Sequence, residues 1–145
     1  MFNDIQYALI ATPLNVVFAD EIHDDVCAVA DYLRLVESMN FDIAICIEDE
    51  TYSGDSRYLL KHGDFYGILI FGWGSCSGCD SLQSCDTIAE VEELRKHLFD
   101  SITWGSAIEI LSYVRDHDWQ GDYSSGSGEM KQFVNNVDTY LTTRM

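Results

Sequence analysis

The chain has 145 residues, with 25 Asp and Glu against 8 Lys and Arg, a formal net charge of −17, 47% hydrophobic residues and one proline. The length fits one folded domain over residues 1–145, and the apolar fraction is high enough to offset chain ordering, which excludes a disordered acidic tail. A charge beyond the usual magnitude of about 2–8 for a small domain argues against direct binding of nucleic acid, which needs a Lys/Arg surface, and against anionic membranes.

In chain order, a short helix is expected over Asn3–Ile10, ended by Pro13. A longer helix is expected over Glu21–Met39, capped by Asp20, because Ile22, Val26, Val29, Leu33 and Val36 recur at steps of four and three on one face. Asp42–Glu48 reads as a strand covered on both faces, followed by a turn at Ser53-Gly54-Asp55. Strands over Arg57–Lys61 and Phe65–Trp73 joined through His62-Gly63-Asp64 complete an antiparallel meander. Thr87 and Glu90 form a capping box for a helix carrying Ile88, Val91, Leu94 and Leu98. Ser101–Trp104 suits a short strand, and Ser106 with Glu109 caps a helix carrying Ile108, Leu111 and Val114. A last helix carries Met130, Phe133, Val134, Val137, Tyr140 and Leu141. The class is α+β, a small antiparallel sheet of about 3–4 strands with several packed helices.

The uncharged stretch Ile5–Ala19 is broken by Pro13 and Asn15 and is shorter than the roughly 20 residues that span a bilayer. No Lys or Arg precedes it, so it reads as core rather than a signal peptide, and a cytoplasmic location is expected. An odd count of five cysteines points to reduced thiols. Cys27 and Cys46, on apolar faces, read as core thiols.

Spread evenly over a folded surface of about 7,500 Å², 25 carboxylates would stand roughly 17 Å apart, beyond a Debye length of about 8 Å. Clustering decides whether they act together. Asp20, Glu21, Asp24 and Asp25 suit a helix start, and Glu90, Glu92 and Glu93 lie beside Arg95 and Lys96. The groups with few basic neighbours are Glu48-Asp49-Glu50 and Asp116, Asp118 and Asp122, so these are the candidate partner-binding residues. Trp119, inside the second group, is expected to stand out as an aromatic anchor, the competing reading being that it folds back into the core.

Cys76, Cys79 and Cys85 form C-x2-C-x5-C on a Gly/Ser-rich loop, three of the four ligands of a zinc site, with His62 the nearest fourth candidate. The spacing is half of a full zinc pattern, and the alternative is a tight loop of small side chains; no cofactor other than zinc is suggested. The loop Asp116–Ser127 follows a calcium-loop register at Asp116, Asp118, Gly121 and Asp122, but Ser127 stands where the closing Glu belongs. No nucleophile motif or phosphate loop accompanies His23, His62, His97 or His117, so no catalytic residues are assigned.

WGSCSGCD at Trp73–Asp80, Cys85-Asp86-Thr87 and HDWQGDY at His117–Tyr123 resemble segments of small acidic proteins encoded by bacteriophages. The resemblance implies a class of task, blocking host machinery. The expected function is therefore non-enzymatic: inhibition of a host nucleic-acid-handling defence system of CRISPR or restriction type, by carboxylates occupying a basic surface. The runner-up is a zinc-stabilised interaction module built on the three-cysteine loop.

Overall fold

The computed structural model describes residues 2–20, 22–23, 26–27, 32–49, 54–74, 80–117, 119 and 128–145. The elements are α1 (Asp4–Ile10), α2 (Leu14–Val17), β1 (Ile22–His23), β2 (Val26–Cys27), α3 (Tyr32–Glu37), β3 (Asp42–Glu48), β4 (Gly54–His62), β5 (Phe65–Trp73), α4 (Ile88–Asp100), β6 (Thr103–Ser106), α5 (Ala107–Asp116) and α6 (Gly128–Thr142). A chain whose length suits one domain divides into two compact units, each made of two segments: Met1–Phe41 with Trp73–Ser101, and Asp42–Gly72 with Ile102–Met145. The class is α+β, as the residue pattern implies.

The first unit is held by capped helices and a buried arginine. Asn3 caps α1 with a full capping box to Gln6, and Thr87 caps α4 by accepting from the Glu90 amide at 3.2 Å. The Glu90 carboxylate takes the Asp86 amide instead of the Thr87 amide, so only half of the expected box forms. Tyr7, Phe41 and Phe99 pack ring to ring, with centroids 4.7 Å apart for Tyr7–Phe99 and 5.9 Å for Phe41–Phe99. Arg95, 3% exposed, satisfies its guanidinium at once: Nε donates to Tyr7 Oη, Nη1 to Thr12 O and Ser38 Oγ, and Nη2 to Glu92 Oε2. Asp80 is buried and accepts from Tyr32 Oη, the amides of Leu82 and Gln83, and the Gly74 amide, so one carboxylate ties the ends of the segment between them.

The expected helix over Glu21–Met39 is not what forms. Ile22–His23 pairs antiparallel with Val26–Cys27, and among the described residues of this stretch the helix is Tyr32–Glu37. β-branched Ile22 and Val26 favour extended backbone, and Asp24-Asp25 between them lowers helix propensity. The buried face differs in part: Val36 is enclosed as expected, but Leu35 and Met39 join it, while Leu33 is 41% exposed. Asn40 ends this segment in the left-handed region (φ 64°), a position asparagine tolerates at a helix C-terminus, and its amide donates to Ile10 O and Thr12 Oγ1.

The second unit is the antiparallel sheet, in the order β3-β4-β5-β6, with α5 and α6 on one face. Gly54 and Asp55, expected in a turn, lie in β4, and Ser53 is outside the described residues. Gly63, at φ 60°, makes the two-residue turn from β4 to β5, where a positive φ matches the strand twist. Leu59, Tyr66 and Ile68 meet Ile110, Leu111 and Val114 of α5 and Phe133, Val137 and Leu141 of α6. Ser106 and Glu109 complete both halves of their capping box. Within α5, Ile110 takes the core position and Ile108 is 64% exposed, because the helix turns its Ile110–Leu111–Val114 face inward. Gly67 is required where β5 meets β6: a Cβ there would sit 2.6 Å from the Ile102 side chain.

β3 is an edge strand rather than one covered on both faces. Its burial alternates, with Asp42, Cys46 and Glu48 exposed and Ile43, Ile45 and Ile47 half-buried. Cys46 is therefore an exposed thiol and not a core one, since among the described residues β3 ends the sheet order. Cys27 lies on β2, in a segment whose side chains are outside the description.

Candidate functional site

Where the eight cations go determines what the acids can do. Arg57 on β4 is fully buried and Arg95 nearly so. Arg34 donates to Val17 O at 2.6 Å and lies over the Phe18 ring. Lys96 bridges Asp4 at 2.8 Å and Asp100 at 2.6 Å, and these bonds hold its pKa above the usual lysine value. Arg115 grips Asp138 with Nε at 2.6 Å and Nη2 at 3.1 Å, and Arg144 stacks on Tyr140 with its guanidinium carbon 3.5 Å from the ring centroid. Lys61 and Lys131 form no ion pair among the described residues. Six of the eight cations are thus engaged by other groups of the chain, two of them buried, while Asp42, Glu48, Asp64 and Asp116 of the second unit face solvent.

The cluster Glu48-Asp49-Glu50 does not act as one group. Glu48 is exposed at the end of β3, where it accepts from Tyr58 Oη at 3.3 Å. The Asp49 side chain is 7% exposed: Oδ1 accepts from Arg57 Nη1 at 2.8 Å and Oδ2 from the Asp55 amide at 2.8 Å. Asp49 is consequently a structural counterion, because a buried guanidinium needs a carboxylate beside it. Gly54 is tied to this arrangement, since a Cβ there would lie 2.6 Å from the Asp49 side chain. Glu50 is outside the described residues.

Cys46 pairs directly across from Tyr58 in the ladder. Partial burial of its sulphur and the neighbouring Glu48 charge push the thiol pKa up, against the pull of the Tyr58 hydroxyl. Burial likewise drives the Tyr58 phenol upward. A thiol kept protonated is a poor nucleophile. Tyr58 itself is buried, so of these three side chains only Cys46 and Glu48 reach the surface.

At the end of α5, Asp116 is exposed, whereas Asp118 and Asp122 are outside the described residues. Trp119 leans on the core instead of standing out. Its Nε1 donates to Val114 O at 2.9 Å, its ring meets Tyr113 edge-on at 5.8 Å and His117 at 4.4 Å, and it packs against the α5–α6 cluster. The indole N–H needs an acceptor when partly buried, and the last turn of a helix supplies unpaired carbonyls.

Of the three candidate zinc ligands, Cys76 and Cys79 are outside the described residues, and Cys85 is buried with its thiol donating to Ser81 O. His62 is exposed at the end of β4. Among the described residues no three His, Cys, Asp or Glu side chains gather as metal ligands, and no helix is long and apolar enough to cross a membrane. Sequence reasoning missed the role of β3 as the sheet edge and the burial of Arg57 and Arg95. The signal available for Arg57 was its place directly before the apolar run Tyr58-Leu59-Leu60 and two residues after Asp55. No protein-family model, curated protein or solved structure matches the chain.

Proposed function

We propose that the protein is a non-enzymatic acidic binding protein, a phage-type inhibitor that covers the positively charged nucleic-acid surface of a host defence complex of CRISPR or restriction type. The observation that carries this reading is the commitment of the cations: Arg57 and Arg95 are buried, and Lys96 and Arg115 are paired with carboxylates. Of the 25 acids, Asp49 and Asp80 are turned inward, while Asp42, Glu48, Asp64 and Asp116 face solvent and give the protein's surface a negative sign. Such a field attracts a basic partner over about a Debye length and raises its association rate. On this reading Glu48 and Asp116 contribute contacts, with Glu50, Asp118 and Asp122 beside them in sequence, while Asp49 and Trp119 hold the scaffold that presents them.

The test is capture from a bacterial lysate on the immobilised protein, followed by stepwise elution with salt or with duplex DNA. A basic nucleic-acid-binding protein that leaves the column at moderate salt and is displaced by DNA is the expected result. A partner retained equally at low and high salt, and indifferent to DNA, overturns the proposal.

A further inference from the structure

We infer that the outer edge of β3 is a docking site for an extended segment in which basic and apolar residues alternate, added to the sheet as a fifth strand. The inference rests on the proposed binding of a basic partner and names the form that partner takes. β3 and β6 are the two edges of the sheet. β6 runs directly into α5 through the Ser106 cap, whereas β3 keeps a regular ladder along Ile45–Glu48, so β3 is the edge with a template for pairing.

The register shows which backbone groups look outward. The Asp49 amide donates to Asp55 O at 3.0 Å, and the pairs Glu48↔Ser56, Ile47↔Arg57, Cys46↔Tyr58 and Ile45↔Leu59 continue the same ladder. Opposed residues in an antiparallel ladder alternate between exchanging both bonds and exchanging none. Ile45, Ile47 and Asp49 therefore turn their peptide groups toward β4, and Cys46 and Glu48 turn theirs away. Among the described residues no donor or acceptor meets those outward groups. The register shift between Ile43 and Ile45 kinks the strand before this stretch, so the usable edge is Ile45–Glu48.

The side chains specify the occupant. On one face of the edge, Ile45 and Ile47 are half-buried at the rim of the core cluster, and an added strand with apolar residues on that side would extend the core. On the other face Cys46 and Glu48 are exposed, and Glu48 calls for a cation opposite it. An alternating basic and apolar strand meets both demands. A second copy of this chain does not, because each copy carries −17 and the two would repel.

The experiment uses the full chain and two dye-labelled peptides of equal composition, alternating Lys-Val-Lys-Val-Lys-Val-Lys and scrambled Val-Val-Lys-Lys-Lys-Lys-Val, followed by fluorescence anisotropy and amide hydrogen exchange. The alternating peptide is expected to bind at least 10-fold more tightly than the scrambled one and to slow exchange of the Cys46 and Glu48 amides. Cys46→Pro, which removes an outward N–H without touching the ladder, should abolish that 10-fold preference. If the variant does not fold, the exchange measurement on the native protein decides alone. Equal affinity for both peptides, unchanged exchange at Cys46 and Glu48, or self-association on sedimentation overturns the edge proposal while leaving salt-sensitive binding of a basic partner intact. A preference for the alternating peptide that persists at high salt would instead support the edge and count against the electrostatic reading of function.

Discussion

Arg57, buried in the middle of β4, is neutralised by Asp49 at 2.8 Å from the residue after β3, with Asp55 3.7 Å away. A carboxylate that the sequence offers as part of an outward acidic cluster is in fact spent on the interior of the sheet.

Replacing Asp49 by Ala should therefore cost about 3–5 kcal/mol of stability, the penalty for leaving a buried charge without its closest partner. Glu48→Ala should change stability by no more than about 0.5 kcal/mol, as for an exposed side chain. Urea unfolding of both variants checks this. Equal midpoints for the two would show that the Asp49–Arg57 contact contributes nothing.

Arg95→Ala is expected to destabilise the first unit by a similar amount, about 3–5 kcal/mol, since Tyr7, Thr12, Ser38 and Glu92 all lose a donor. Tyr7→Phe removes two bonds of the same network and should cost about 1–3 kcal/mol. A double-mutant cycle should find the two changes far from additive; additive losses would mean that the network is not coupled.

Trp119→Phe should lose about 1 kcal/mol, the value of the bond to Val114 O, and Trp119→Ala about 2–3 kcal/mol, below the range of about 3–5 kcal/mol for a fully buried aromatic. Partner affinity of the folded fraction should stay the same. A normal melting curve combined with weakened binding would restore Trp119 as a contact residue.

Stability should fall at both ends of the pH range. The Ser106 amide and hydroxyl lower the Glu109 pKa below 4.5, and Arg115 lowers Asp138 below 3.8. A carboxylate depressed in the folded state stabilises above its unfolded pKa and loses that contribution as pH drops through the folded value, which places the acid loss below about pH 4.5. Lys96 is raised above 10.5 by Asp100 and Asp4, so its contribution is complete below that pH and disappears as pH rises past the folded value. Melting temperatures across pH 2–12, repeated for Glu109→Gln and Lys96→Met, test the assignment: each variant should flatten only its own limb.

Much of the framework was legible locally. β3 and β5 form at the expected bounds because Asp42–Glu48 and Phe65–Trp73 are apolar, β-prone runs closed by turn residues, and Gly63 supplies the positive φ between β4 and β5. Thr87 and Ser106 start their helices as short-range capping dictates, and Met130, Phe133, Val137 and Leu141 bury the face their spacing implies. These features depend on residues within a turn or two of one another, so the sequence by itself determined them. The tertiary structure decided the rest. Whether Ile22–His23 and Val26–Cys27 pair as strands, whether Leu33 or Leu35 turns inward, and whether Trp119 stands out or folds back depend on surfaces supplied from elsewhere in the chain. The same holds for the candidate site. Arg95 meets Tyr7 across 88 residues of sequence, Glu48 and Cys46 lie on the last strand in the sheet order of the described residues, and Asp49 leaves the acidic surface because the buried Arg57 draws it in. Charge counting along a chain cannot separate an acid facing water from one facing an arginine, because desolvation and pairing are decided by the three-dimensional neighbours of each group.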